Sequence, residues 1–155
     1  MQLVQFSATN YRSITSAHRI TFANVTVLIG RNNEGKSNLL RALEAAMNLL
    51  KQHALVFSNR NRRLLTGDLA YIWQRDFPIQ LQHRRRSTQT ILKLEFSLDD
   101  DECRQFKDEI GSSNNGSLTL EIKIGKDQDP QIRLAHLEMN SKVKYNLRFM
   151  KIAET

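Results

Sequence analysis

The chain has 155 residues, 40% hydrophobic and 25% charged, which is enough apolar material for one ordinary core and too much for a disordered segment. Its formal net charge of +7 favours polyanionic partners over acidic ones. The single cysteine, Cys103, has no disulfide partner in the chain, the histidines His18, His53, His83 and His136 are scattered, and neither a membrane-length apolar run nor a signal-peptide pattern is present, so a reducing, cytoplasmic setting is the simplest reading.

In chain order, "LVQF" at 3–6, "RITF" at 19–22 and "VTVLI" at 25–29 are predicted strands, the last two separated only by Ala23 and Asn24. After Gly35 the period becomes helical. Leu39, Leu43, Ala46 and Leu50 form one apolar stripe, which predicts a helix from near Lys36 to near His53. Residues 59–86 differ in kind: Arg60, Arg62, Arg63, Arg75, Arg84, Arg85 and Arg86 face only Asp68 and Asp76, so most of the net charge sits there. Alternation at Leu92, Leu94, Phe96 and Leu98 then predicts a strand with one buried face. Asp99 and Glu102 form an acidic capping box for a short amphipathic helix bearing Cys103, Phe106 and Ile110, with Gly111 as its stop. Further strands are predicted at Leu118–Ile124, around Ile132–Met139 and at Val143–Phe149, so the second half reads as an antiparallel sheet carrying one helix.

"GRNNEGKS", Gly30 to Ser37, satisfies the phosphate-binding pattern G-x-x-x-x-G-K-S/T, between a predicted strand and a predicted helix. Such a loop holds phosphate through successive backbone N–H groups and the positive end of the helix dipole. Gly30 and Gly35 allow backbone conformations and close approaches that a Cβ obstructs, and Asn32 and Asn33 tolerate left-handed geometry. Lys36 is expected to reach the β- and γ-phosphate oxygens of a triphosphate, and the Ser37 hydroxyl to ligate Mg²⁺. Glu34 is expected to face solvent, because a carboxylate turned toward phosphate would be repelled.

The loop continues as "GKSNLLRAL", and the first strand runs into "NYRSI" at Asn10–Ile14. Together these resemble the opening of ATP-binding-cassette heads of the RecF, SMC and OLD group, which begin with a strand, an N-F-R/K-S-like segment, a strand pair and then G-x-N-x-x-G-K-S/T-N. The resemblance is specific over residues 1–50. It is looser beyond, where "YIWQRDFPI" followed by "ILKLEFSL" is similar to the middle of OLD-type ATPase domains. It adds Asn38 to the nucleotide-binding residues and makes Arg12 a candidate contact to nucleotide phosphate or to a partner head; a plain surface arginine in a turn is the competing reading. It also implies a homodimer or higher oligomer formed through the heads.

That family further needs a Q-loop, a signature motif from the opposing subunit, and an apolar strand ending in Asp-Glu that orders Mg²⁺ and positions water. No such strand is found. "EFSLDDDE" at 95–102 alternates, and its acids suit the first turn of a helix. Gln74, Gln80 and Gln82 are unranked Q-loop candidates. In the basic segment, "NRNRR" at 59–63 and "HRRR" at 83–86 flank Tyr71, Trp73 and Phe77. Two readings stay open: a nucleic-acid contact through Arg60, Arg62, Arg63, Arg84, Arg85 and Arg86, or a solvated basic loop with its aromatics turned into the core. Cys103 reads as core packing.

The expected fold class is α/β, a P-loop NTPase of the ABC-head type forming part of a larger domain. Residues 1–57 are assigned to strands, phosphate loop and helix, 58–88 to the basic loop region and 89–155 to an antiparallel lobe with one helix. The expected function is the ATP- and Mg²⁺-binding part of an ATPase working on DNA. An OLD-type ATPase joined to a Toprim nuclease in anti-phage defence is the nearest fit, with a RecF/SMC-like repair ATPase and a non-hydrolysing nucleotide switch as alternatives. A further protein partner fits this expectation and a membrane does not.

Overall fold

The computed structural model describes residues 1–31, 35–57, 71–83, 89–110 and 115–135. Five antiparallel strands form one sheet in the order β2-β1-β3-β4-β5, with β1 at Gln2–Thr9, β2 at His18–Thr21, β3 at Thr90–Ser97, β4 at Ser117–Ile124 and β5 at Pro130–Ala135. The two-residue alternation of these segments dictates a two-faced sheet. On the inner face Phe6, Leu94, Leu120 and Leu134 lie in one cross-strand row, with Ala8, Leu92, Ile122 and Ile132 in the next. The outer face is polar, and there Lys93 and Lys123 both pair with Glu121.

The helices are α1 (Lys36–Phe57), the single turn α2 (Trp73–Asp76) and α3 (Asp100–Ile110), with a 3₁₀ turn at Ile79–Leu81. Helix α1 covers the inner face of the sheet. Its buried side is Leu39, Ala42, Ala45, Ala46, Leu49 and Leu50, wider than the expected stripe, and the three alanines let the helix come close to the sheet. Leu43, expected on that stripe, lies at its margin. Helix α3 starts on the expected capping box: the Asp99 N–H donates to Glu102 Oε2 at 2.9 Å and the Glu102 N–H to Asp99 Oδ1 at 2.8 Å. The acids of "EFSLDDDE" therefore serve a helix terminus. Phe106 is buried and Cys103 half-buried, in keeping with packing roles.

One expected strand is absent. Residues 25–29 join no sheet, and Val25, Val27 and Ile29 are 80%, 70% and 90% exposed. β-Branched residues favour a strand only where a neighbour supplies the hydrogen-bond ladder, and both edges of β1 are already taken by β2 and β3. The expected strand at Val143–Phe149, the end of the one around Ile132–Met139 and the stop at Gly111 lie outside the described residues.

Candidate phosphate-binding site

Gly30 and Arg31 lead to the first turn of α1 at an exposed edge of the molecule. Gly35 has φ +89°, a left-handed conformation, and a Cβ there would stand 3.4 Å from Ser13 Oγ. Its carbonyl accepts the Leu39 N–H at 2.9 Å, the first hydrogen bond of the helix. Lys36 folds back over the loop, its Nζ donating to the carbonyls of Gly30 and Arg31 at 2.5 Å each. Ser37 is exposed in the first turn of α1, a turn with no acidic side chain to offset the positive end of the helix. Asn38 Nδ2 donates to Ser13 Oγ at 2.8 Å, so Asn38 joins the helix to the loop after β1. Asn32, Asn33 and Glu34 lie outside the described residues.

A glycine in the left-handed region, an ammonium turned onto loop carbonyls, a hydroxyl in the first turn and the absence of acids from that turn suit a polyphosphate with its Mg²⁺. Gly35→Ala is expected to cost about 1–3 kcal/mol, because the left-handed conformation is strained for an L residue. A fall in thermal midpoint together with weaker nucleotide binding would bear this out, and wild-type values for both would contradict it.

The segment Asn10–Ile14 forms the wall beside this loop. Tyr11 and Ile14 exchange backbone hydrogen bonds of 2.8 Å in both directions, and the buried Tyr11 hydroxyl reaches the Arg41 carbonyl at 3.4 Å. Between them, Arg12 sits at φ 50°, an uncommon conformation for a non-glycine residue. The surrounding structure holds it there. Its N–H donates to the Asp76 carbonyl at 2.6 Å, its Nε to Asp76 Oδ1 at 2.9 Å, and its Nη2 lies 2.8 Å from the same oxygen.

Asp76 is the buried acid of the site, 0% exposed. It also accepts from Arg75 Nη2 at 2.8 Å and from the Ile72 N–H at 3.0 Å. Burial raises its pKa, but the bonds from Arg75, the Ile72 N–H and Arg12 outweigh this and hold the carboxyl below its ordinary range. Next to it Tyr71 is pushed up to about 12, chiefly by burial, and its hydroxyl bonds Thr90 Oγ1 at 2.8 Å. Thr90 in turn donates to the Asn10 carbonyl at 2.6 Å, which closes the end of the sheet over the polar cluster.

Of the aromatics near the basic stretches, Tyr71 and Phe77 are buried. Trp73 stacks on Phe77 at 5.3 Å between centroids, with Lys126 Nζ 5.4 Å from the Trp73 centroid. The core reading therefore holds for Tyr71 and Phe77. Gln82 closes the turn after α2 by donating to the Gln74 and Phe77 carbonyls at 3.2 and 3.0 Å, while Gln74 and Gln80 are exposed. Arg60, Arg62, Arg63, Arg84, Arg85 and Arg86 lie outside the described residues. Among the described residues no group of three or more His, Cys, Asp or Glu is placed to hold a metal, and no helix is long and apolar enough to cross a membrane.

Asp76 is the residue that the sequence did not bring forward. In composition it was one of two acids among seven arginines, and only its burial gives it a role.

The phosphate loop, the covering helix and the antiparallel lobe define an α/β protein of the P-loop NTPase type. A profile of the AAA ATPase domain matches residues 1–153, and the chain belongs to that family. Among solved structures, one from work on the ATP-driven dimerization and DNA-stimulated activation of SMC ATPases aligns over 87% of this chain and 70% of that chain, with TM-score 0.53 and 14% sequence identity. The likeness is one of fold. No curated protein matched the chain.

Proposed function

We propose that this chain binds MgATP at Gly30–Ser37 as part of an ATPase that couples nucleotide binding and hydrolysis to the processing of DNA. The observation that carries the reading is the conjunction of the left-handed Gly35, the Lys36 ammonium on the Gly30 and Arg31 carbonyls, and the absence of acids from the first turn of α1. Bound nucleotide would take Lys36 from those carbonyls to its β- and γ-phosphates, Ser37 to Mg²⁺, and the backbone N–H groups of the loop to the remaining phosphate oxygens. Asn38 and Arg12 would line the site from the side. Mg²⁺ supplies charge neutralisation between the terminal phosphates.

The net charge of +7 supports a DNA partner, and family membership supports the ATPase reading. The solved SMC ATPase of similar fold is described as dimerizing with ATP and responding to DNA, and pairing of two copies of this head around nucleotide is proposed by analogy. Within the wider group, an OLD-type ATPase with a Toprim nuclease, acting in the cytoplasm in anti-phage defence, fits the "YIWQRDFPI" segment best. The sequence holds no apolar strand ending in Asp-Glu, so the 155-residue chain is expected to bind ATP without appreciable turnover. Calorimetric titration with MgATP, set beside phosphate release with and without DNA, tests both parts. Release by this chain that disappears in Lys36→Ala would contradict the second.

A further inference from the structure

We infer that Asp76 is a positioning residue for the nucleotide site: it holds Arg12 and Ser13 against the first turn of α1 and so ties nucleotide occupancy to α2. The inference deepens the proposed function and rests on it. Three contacts fix Arg12 to residue 76, one from its backbone N–H and two from its guanidinium. The next residue, Ser13, accepts from Asn38 at 2.8 Å and is the group that a Cβ on Gly35 would meet. Asp76, Arg12, Ser13, Asn38 and Gly35 thus form one continuous path from α2 to the phosphate loop. Securing α2 alone would need only Arg75 and the Ile72 N–H; the bonds to Arg12 add a link across 64 residues of sequence.

The Arg12 guanidinium is not sealed in, being 20% exposed beside Asp76. A partly exposed guanidinium suits a further anion, and the polyphosphate of a nucleoside triphosphate is the anion that the adjoining loop would present. Asp76 keeps the Nε edge of Arg12 engaged and holds its backbone left-handed, so the guanidinium is pre-set for that ligand.

The molecule contains its own reporter, because Trp73, in the same helical turn as Asp76, is the sole tryptophan. Trp73 emission should change saturably on titration with MgATP, with the midpoint found by calorimetry, and Lys36→Ala should remove both signals. Arg12→Ala should weaken binding about tenfold and silence the Trp73 response, with circular dichroism showing the fold intact. Asp76→Asn should match Arg12→Ala, and the double variant should bind no more weakly than Arg12→Ala alone, as for residues acting through one another. If Asp76→Asn does not fold, Arg12→Ala carries the test, since it leaves Asp76 paired with Arg75. Calorimetric binding with a flat Trp73 signal in the wild type would overturn the inference and leave the proposed function standing. Additive losses in the double variant would do the same. Absence of binding by the wild type, or wild-type binding by Lys36→Ala, would overturn both.

Discussion

Replacing Lys36 by alanine is expected to lower MgATP affinity by about a hundredfold or more, since charge-assisted hydrogen bonds contribute about 1.5–3 kcal/mol each and the ammonium would serve two phosphates. The same ammonium donates to the Gly30 and Arg31 carbonyls, which places the cation on the loop that a phosphate would approach. Those contacts are exposed, and their loss should leave thermal stability almost unchanged. Calorimetry and thermal melts on the same samples separate the two effects. Retained affinity in a folded Lys36→Ala protein would move the nucleotide site elsewhere.

Phe6→Ala is expected to destabilise the protein by about 3–5 kcal/mol, the usual range for truncating a buried phenylalanine. Phe6 is 0% exposed on β1, opposite Ile20 of β2 and Leu94 of β3, in the row that continues to Leu120 and Leu134. A cavity there is bounded by strands on both sides and by the face that α1 covers, so little can collapse into it. Against a total stability of about 5–15 kcal/mol for a typical domain, the change should shift the urea midpoint far toward low denaturant. A shift of less than about 1 kcal/mol would mean that the inner face is loosely packed.

The contrast between these two residues shows what the sequence could and could not convey. The Gly30–Ser37 pattern was legible because such a loop is a local device: its glycines, lysine and serine lie within eight positions, next to the helix that follows. The strands around Phe6, Leu94 and Leu120 were legible for a similar reason, since alternation survives whatever the partner. The Asp99–Glu102 box was equally local. Val25, Val27 and Ile29 have the same β-branched alternation and yet form no strand, because a ladder depends on a neighbour and not on the segment itself. Asp76 failed to stand out for the same physical reason: its role comes from Arg12, far away in sequence, and from its complete burial, which no spacing announces. The left-handed backbone at Arg12 was hidden too, because arginine is not a residue whose presence signals that conformation.

The strand order bears on how the chain is made. β1 has β2 on one side and β3 on the other, and Phe6 meets Leu94 across the second pairing. A ribosome adding about 5–20 residues per second needs roughly 4–18 s to produce the roughly 90 residues between them. During that interval the β1–β2 hairpin exists without the strand that completes its inner face, and a lone hairpin is marginal in water. Folding must then close a long loop before the central β1–β3 pairing yields any stabilisation, an entropic cost that the local pairings β1–β2, β3–β4 and β4–β5 do not carry.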